Sequence, residues 1–489
     1  MPKQKPNILI VMTDHFRGDI TFKDSNVPLP NINRLAKEGV RFTNAYTVSA
    51  HCCPARASLM TGVYPSKHGI VNNVANGTAL RTGFDPSVET WSKILKAEGY
   101  NLSYTGKWHA ESEKGPGAYG WKGFGKVKGT KKNKNSLFGV DKMSRKELEK
   151  IVTDGVYVER DGWDPMLMGG KKIKPFSESL EYESTINSIE ELKSLAKKKN
   201  PWCLFVSWDG PHDPYTPYEP FASMFDPEKI KLPPNFRDNF KDRPVVYRRQ
   251  REVFDKLSEK DVKKAIAYYY GFCAELDYMF GMILEELDGT GQRDNTIVVF
   301  LADHGDMLGE HGLFLKGIPA FEGAYKIPLI IRWPKGIKKN GKDVASIARI
   351  LDLGPTLLEA AGARKLKPVH GKSLLPLLTG KEKDGKRKEM YCQMSGVELY
   401  YTQRVIRDGK YKYVFNGFDY DELYDLQKDP YEKKNLINSP KLKKLKRQLL
   451  LKLWDWAEKT EDVVTGRYPL TALVPVGPWK KFRKKESKC

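Results

Sequence analysis

Three largely continuous apolar runs and one mixed strand pattern, each stopping abruptly at charged or imidazole side chains, constrain this chain more than any other feature. They are NILIVMT before Asp14 and His15, NLSYT before Gly106, Lys107, Trp108 and His109, WCLFVSW before Asp209 to Tyr215, and TIVVFLA before Asp303, His304, Gly305 and Asp306. NILIVMT, WCLFVSW and TIVVFLA, apolar at nearly every position instead of at alternate ones, fit strands buried on both faces, as in a parallel sheet covered by helices, and NLSYT reads as a further strand. Between the runs lie helical patterns: Asn31 to Gly39, Glu89 to Gly99, Ser188 to Lys198 and the long Asp261 to Leu287. Alternation of this sort predicts a doubly wound α/β sheet, whose ligands bind at the carboxyl ends of the strands. Further strands are expected at Val40 to Tyr46 and Ile327 to Trp333.

The remaining segments divide the chain. Residues 110–185 are rich in lysine and glycine with weak periodicity, and read as a surface insertion. Beyond about residue 385 short hairpin-like strands such as RVIRDGKYKYVF precede a basic helix from Pro440 to Lys459. That pattern predicts a catalytic domain over 1–385, a smaller α+β subdomain over 386–464 and a basic tail over 465–489.

Composition limits the function. The 489 residues carry 83 Lys and Arg against 61 Asp and Glu, a formal charge of +22, so anionic partners are favoured. Nucleic acid is one such class, but the lysine clusters lack a recognisable binding motif or regular aromatic interleaving, and specific binding is not expected. Six scattered cysteines show no zinc spacing and are too few for a disulfide framework. Nothing approaches the ~20 apolar residues that span a bilayer. No signal peptide is visible either. The expectation is a soluble, cytoplasmic chain, exported only if a leader is missing.

One short stretch carries nucleophilic chemistry. In SAHCCPARASLMTG, Pro54 suits a first helical turn and places adjacent cysteines at a helix N-terminus, where the positive helix end and Arg56, one turn inside, would stabilise an anion. Asp14, His15, Asp303 and His304 supply two carboxylates and two imidazoles at strand ends, a donor set open to Ca²⁺ through oxygen and to Mn²⁺, Fe²⁺ or Zn²⁺ through nitrogen. Lys107, His109, His212 and Lys316 add cationic or proton-carrying groups.

Taken together these segments resemble the type I, formylglycine-dependent sulfatases of the alkaline phosphatase superfamily. NILIVMTDH resembles the family's opening strand, CCPARASLMTG its formylglycine signature, and YTGKWH the segment with a lysine and a histidine at the sulfate. GPHDPY, ADHGDMLGEHG and FLKG resemble the segments with a second histidine, further metal ligands and a last lysine, and ELYDLQKDPYEKKNL the C-terminal subdomain. The resemblance implies a large mixed, mostly parallel sheet and a sulfuric ester hydrolase acting on an anionic sulfated substrate, a carbohydrate by expectation. A phosphonate or phosphate ester hydrolase of the same superfamily is the alternative, and a non-catalytic polyanion-binding protein a more distant one. It implies that a maturase oxidises Cys52 to formylglycine, the nucleophile and a metal contact, supported by Arg56 and Lys107. Asp14, Asp303 and His304 would bind metal and Lys316 the sulfate oxygens. His109 would assist the formylglycine, and His212 would protonate the leaving alcohol. His15 departs from the family, which usually has Asp, Asn or Gln there. Calcium is the ion implied, with Mn²⁺ or another divalent metal as the alternative.

Overall fold

A computed structural model describes residues 4–74, 77–128, 143–338, 340–397, 399–466, 474, 476–478 and 480. Nearly all of the expected tail, and the end of the lysine run from Lys126 to Lys134, lie outside the described residues.

The strands, in chain order, are β1 (Asn7–Thr13), β2 (Val40–Phe42), β3 (Ala45–Tyr46), β4 (Asn101–Lys107), β5 (Lys122–Lys128), β6 (Val152–Val158), β7 (Met166–Lys172), β8 (Trp202–Ser207), β9 (Thr296–Ala302), β10 (Leu329–Arg332), β11 (Lys342–Val344), β12 (Ala348–Arg349), β13 (Glu389–Gly396), β14 (Tyr400–Asp408), β15 (Tyr411–Asn416) and β16 (Glu422–Asp425). Eight form the main sheet in the order β11-β2-β10-β9-β1-β8-β4-β5. Its central strands β9, β1, β8 and β4 are mutually parallel, whereas β10 runs antiparallel to both β9 and β2. The four segments are thus the four neighbouring central strands, and β1, β8 and β9 are buried along their whole length.

Helices cover this sheet. They include α1 (Pro30–Glu38), α2 (Cys52–Thr61), Leu180–Ala196 and the long Glu259–Gly289. The start of α1 is capped from another element: Asp277, in the long helix, accepts the backbone N–H groups of Asn31 at 3.1 Å and Ile32 at 2.7 Å. A second sheet, β13-β14-β15-β16, is antiparallel throughout and is joined by the helix Lys443–Lys459. The five described cysteines are free and buried. Among the described residues no helix is long and apolar enough to cross a membrane.

Two sequence expectations need correction. Val40 to Tyr46 is not one strand: β2 joins the main sheet, while β3 pairs with β12 elsewhere. The 110–185 segment is not confined to the surface, because β5 extends the main sheet beside β4 and the β6–β7 hairpin packs against the long helix, Tyr268 Oη donating to Asp154 Oδ2 at 2.7 Å. An edge strand leaves one side to solvent, so KGFGKVK tolerates lysines that a central strand would not.

Candidate active site

The carboxyl ends of β9, β1, β8 and β4 present their side chains in sheet order: Asp303 and His304, Asp14 and His15, Asp209 to Asp213, then Lys107 to His109. The last turn of β4 depends on Gly106, whose φ of +85° favours glycine and whose backbone leaves no room for a side chain, since a Cβ there would lie 1.8 Å from the Ser207 carbonyl oxygen. This close approach of β4 to β8 sets where Lys107 enters. His15 and His109 also have left-handed backbone, φ 63° and 41°, conformations that cost energy and concentrate at functional sites.

Helix α2 points its N-terminus into this cluster. Gly62, at φ 70°, ends the helix and returns its N–H to the Ser58 carbonyl. Cys52, in the first turn, is 1% exposed. Its Sγ lies 3.2 Å from His304 Nε2, 3.4 Å from Lys316 Nζ and 3.6 Å from Asp14 Oδ1. Burial raises the pKa of a thiol, yet Lys316, Lys107 and His304 override it and hold Cys52 well below the usual range. Cys53 points away into an apolar nest with Ala57, Ile70 and Val74, where burial pushes its thiol up. The two adjacent cysteines therefore differ sharply in electrostatic setting.

Arg56 is fully buried, and the expectation that it would stabilise an anion directly at the cysteine is revised. Its Nε donates to Asp303 Oδ2 at 2.7 Å and its Nη2 to Asp14 Oδ2 at 3.0 Å, while Nη1 donates to the Lys107 carbonyl at 2.7 Å and Ser207 Oγ at 2.9 Å. The guanidinium ties four strand ends, those of β9, β1, β4 and β8, together from behind the acids. Lys107 Nζ sits 2.6 Å from Asp14 Oδ2. Burial and the Cys52 sulfur work to raise the Asp14 pKa, but Lys107 and Arg56 hold that carboxyl well below its ordinary value.

With the outer oxygens so engaged, the inner donors face one another. His304 Nε2 is 3.6 Å from Asp14 Oδ1 and 3.8 Å from Asp303 Oδ1, and His15 Nε2 is 3.8 Å from Asp14 Oδ1. Separations of this size are those between neighbouring ligands of one cation with bonds of ~2.1–2.5 Å. Each imidazole is also oriented from its far side: His304 Nδ1 contacts the Gly305 carbonyl at 2.9 Å and His15 Nδ1 contacts Asp306 Oδ2 at 3.1 Å. If Nδ1 carries the proton in each ring, both Nε2 lone pairs point inward. Two groups of potential ligands result, Asp14, Cys52, Asp303 and His304, and Asp14, His15, Cys52 and His212. The donor chemistry fits a divalent cation, and His15 is brought to it despite its unusual identity.

Lys316 arrives from the loop after β9, with Nζ hydrogen-bonded to His15 Nε2 and 3.2 Å from His212 Nε2. His212 Nδ1 is 3.0 Å from Asp213 Oδ1. Burial disfavours the charged ring, but Asp213 overrides it and raises the pKa to about 10. His109 is buried facing the Cys52 sulfur, with no well-formed hydrogen bond at either ring nitrogen. Every site residue expected from sequence thus borders one cavity of about 560 Å³ or lies directly beneath it. Sequence reasoning missed His51, Lys128, Asp209 and Asp213 on that cavity, and Asp306 beneath it. Asp213 and Asp306 were visible within GPHDPY and ADHGD, whereas nothing in the lysine-rich segment singled out Lys128.

Known proteins share this fold. Among solved structures, the phosphonate monoester hydrolase of Agrobacterium radiobacter superposes with a TM-score of 0.77 at 23% identity, covering 93% of this chain and 96% of that one. A protein solved in complex with its substrate D-glucosamine-2-N,6-O-disulfate superposes with a TM-score of 0.73 at 23% identity, over 94% and 99% of the two chains. The fold is therefore alkaline-phosphatase-like. The Sulfatase profile matches residues 6–363, and the profile for the C-terminal part of N-sulphoglucosamine sulphohydrolase matches residues 309–459. The choline-sulfatase of Rhizobium meliloti (strain 1021) is 32% identical over 477 residues, covering 90% of this chain and 84% of its own. The chain belongs to the sulfatase family.

Proposed function

We propose that this chain is a formylglycine-dependent sulfatase that releases sulfate from a sulfated carbohydrate, with Cys52 as the residue converted. The observation that carries this reading is the placement of Cys52 at the start of α2, in contact with Asp14, His304 and Lys316 at once. Family membership supports the reaction, and the relative solved with a glucosamine disulfate supports the substrate class.

As formylglycine, residue 52 would supply a hydrated aldehyde, with one hydroxyl to take the sulfuryl group and a second to expel it. A divalent cation, calcium by preference, would be held by Asp14, Asp303 and His304 with His15 beside them, and would supply positive charge to the sulfate oxygens and the nucleophile. The chain's own groups do the rest. Lys107 and Lys316 offset charge on the sulfate oxygens, and Arg56 fixes the two carboxylates at the floor. His212, held by Asp213, carries the proton that the departing alkoxide needs. His109 faces residue 52, where it can accept the proton released as the second hydroxyl collapses back to the aldehyde.

Peptide mass spectrometry after co-expression with a formylglycine-generating enzyme tests the assignment. The aldehyde is expected at Cys52 and not at Cys53, with activity lost in Cys52→Ala. Conversion at Cys53 alone, or an active Cys52→Ala variant, would refute it. A matched series of aryl sulfate, phosphate monoester and phosphonate ester decides between this reading and the phosphonate hydrolase alternative, with kcat/KM expected to be highest for the sulfate.

A further inference from the structure

The cavity above Cys52 has one wall that the sulfate chemistry does not use. Lys128 at the end of β5, Asp209 after β8, Lys172 at the end of β7 and Glu181 in the first turn of helix Leu180–Ala196 all line it. Lys128 Nζ and Asp209 Oδ2 are paired at 2.5 Å. Lys172 and Glu181 are different. Among the described residues neither forms an ion pair, and both are half-buried. Each lies within electrostatic reach of the other, while the Glu181 carboxylate also accepts from its own backbone N–H and feels the charge of Lys128 ahead of that of Lys172. Burial pulls the Lys172 pKa down and pushes that of Glu181 up, so both side chains would gain from a polar group placed in the cavity between them.

The chemistry of a group that would satisfy both is narrow. Two lysines and two carboxylates leave this wall with no net charge. An ammonium alcohol would gain from Glu181 and Asp209 but meet Lys128 and Lys172, and a second sulfate or carboxylate would meet the reverse conflict. A hydroxyl donates and accepts together, so it can give its proton to Glu181 while accepting from Lys172. Phe272 and Tyr218 on the same cavity offer apolar ring surface beside these polar groups.

We propose that Lys172 and Glu181 form a hydroxyl-reading subsite, which makes the preferred substrate a monosulfated neutral sugar instead of an ammonium alcohol sulfate or a multiply sulfated sugar. This rests on the sulfatase reading above and adds the charge class of the alcohol. Because both residues come from the segment 110–185, that segment selects the substrate while the strand ends perform the reaction.

The test uses the matured full-length enzyme with 4-nitrophenyl sulfate, a panel of hexose monosulfates, choline sulfate and glucosamine 2-N,6-O-disulfate. The best hexose monosulfate is expected to exceed choline sulfate and the disulfate in kcat/KM by at least about tenfold. Glu181→Gln and Lys172→Met should each lower kcat/KM for that sugar by roughly 10–100-fold, mainly through KM, and leave 4-nitrophenyl sulfate within about threefold. Preference for choline sulfate or the disulfate overturns the subsite, as do variants that leave the hexose sulfate unaffected or harm both substrates equally. Failure of the wild-type enzyme to hydrolyse any of these esters, 4-nitrophenyl sulfate included, is a separate result that removes the sulfatase reading and the inference with it.

Discussion

Replacing Arg56 by lysine keeps the charge and removes only the fork, so it isolates what the guanidinium geometry contributes. Four hydrogen bonds leave this side chain, to Asp303, Asp14, the Lys107 carbonyl and Ser207. A single ammonium on a shorter stem cannot span them. Asp14 would keep Lys107 at 2.6 Å, but Asp303 would keep only the His304 backbone N–H at 2.9 Å, on its other oxygen. Losing two hydrogen bonds to buried acceptors, at about 1.5–3 kcal/mol each where a charge is involved, predicts a loss of about 3–6 kcal/mol. Against a total stability of about 5–15 kcal/mol that is a large fraction. Urea unfolding followed by tryptophan fluorescence would read the change, since Trp202 and Trp208 are buried at either end of β8. Activity should fall in the same variant because the two carboxylates lose their common anchor. A loss below about 1 kcal/mol, the net worth of a single ordinary hydrogen bond, with full activity would show that the fork does not hold the acids, and the account of the site floor would fail.

Other expectations follow from the same geometry. Exhaustive chelation should abolish turnover, and Asp303→Ala should not recover at ordinary metal concentrations; metal analysis alongside activity checks both, and a fully active chelated enzyme would remove the proposed cation site. His212→Ala should lower kcat/KM for sugar sulfates by about 10²–10⁴, the usual contribution of a positioned acid, and lower an activated aryl sulfate far less; equal loss on both substrates would mean that His212 is not the acid. Gly106→Ala combines a left-handed backbone with an overlap on the Ser207 carbonyl and should destabilise by about 2–5 kcal/mol; an unchanged melting temperature would contradict the close approach of β4 to β8. Asp277→Ala strands the N–H groups that start α1 and should cost about 1–3 kcal/mol, measured by denaturant unfolding.

Much of the central architecture can be read from residue order because buried parallel strands have an unmistakable composition. NILIVMT and TIVVFLA each occupy their strand from first to last residue. Edge elements lack that signal, and KGFGKVK could be taken for a loop since an exposed strand need not be apolar. The candidate reacting groups are legible for a related reason, since charged and imidazole residues recur together at the ends of several strands. Their pairing is not. Arg56 lies four residues from Cys52, and only the packing of four strand ends reveals that it serves Asp14 and Asp303. Lys172 and Glu181 carry no motif, and their meeting on one cavity depends on how the β6–β7 hairpin folds back.

The interleaving of β9, β1, β8 and β4 has a consequence in time. About 300 residues separate Asp14 from Lys316, and synthesis at roughly 5–20 residues per second takes about 15–60 s to cover them. Through most of that interval α2 can exist while Asp303, His304 and Lys316 have not been made, so the sulfur that ends buried on the cavity floor begins on an open chain. Any enzyme that must reach Cys52 therefore works best on the growing polypeptide, and supplying it only after folding should leave most of the residue as cysteine, which peptide mass spectrometry of the two preparations would reveal.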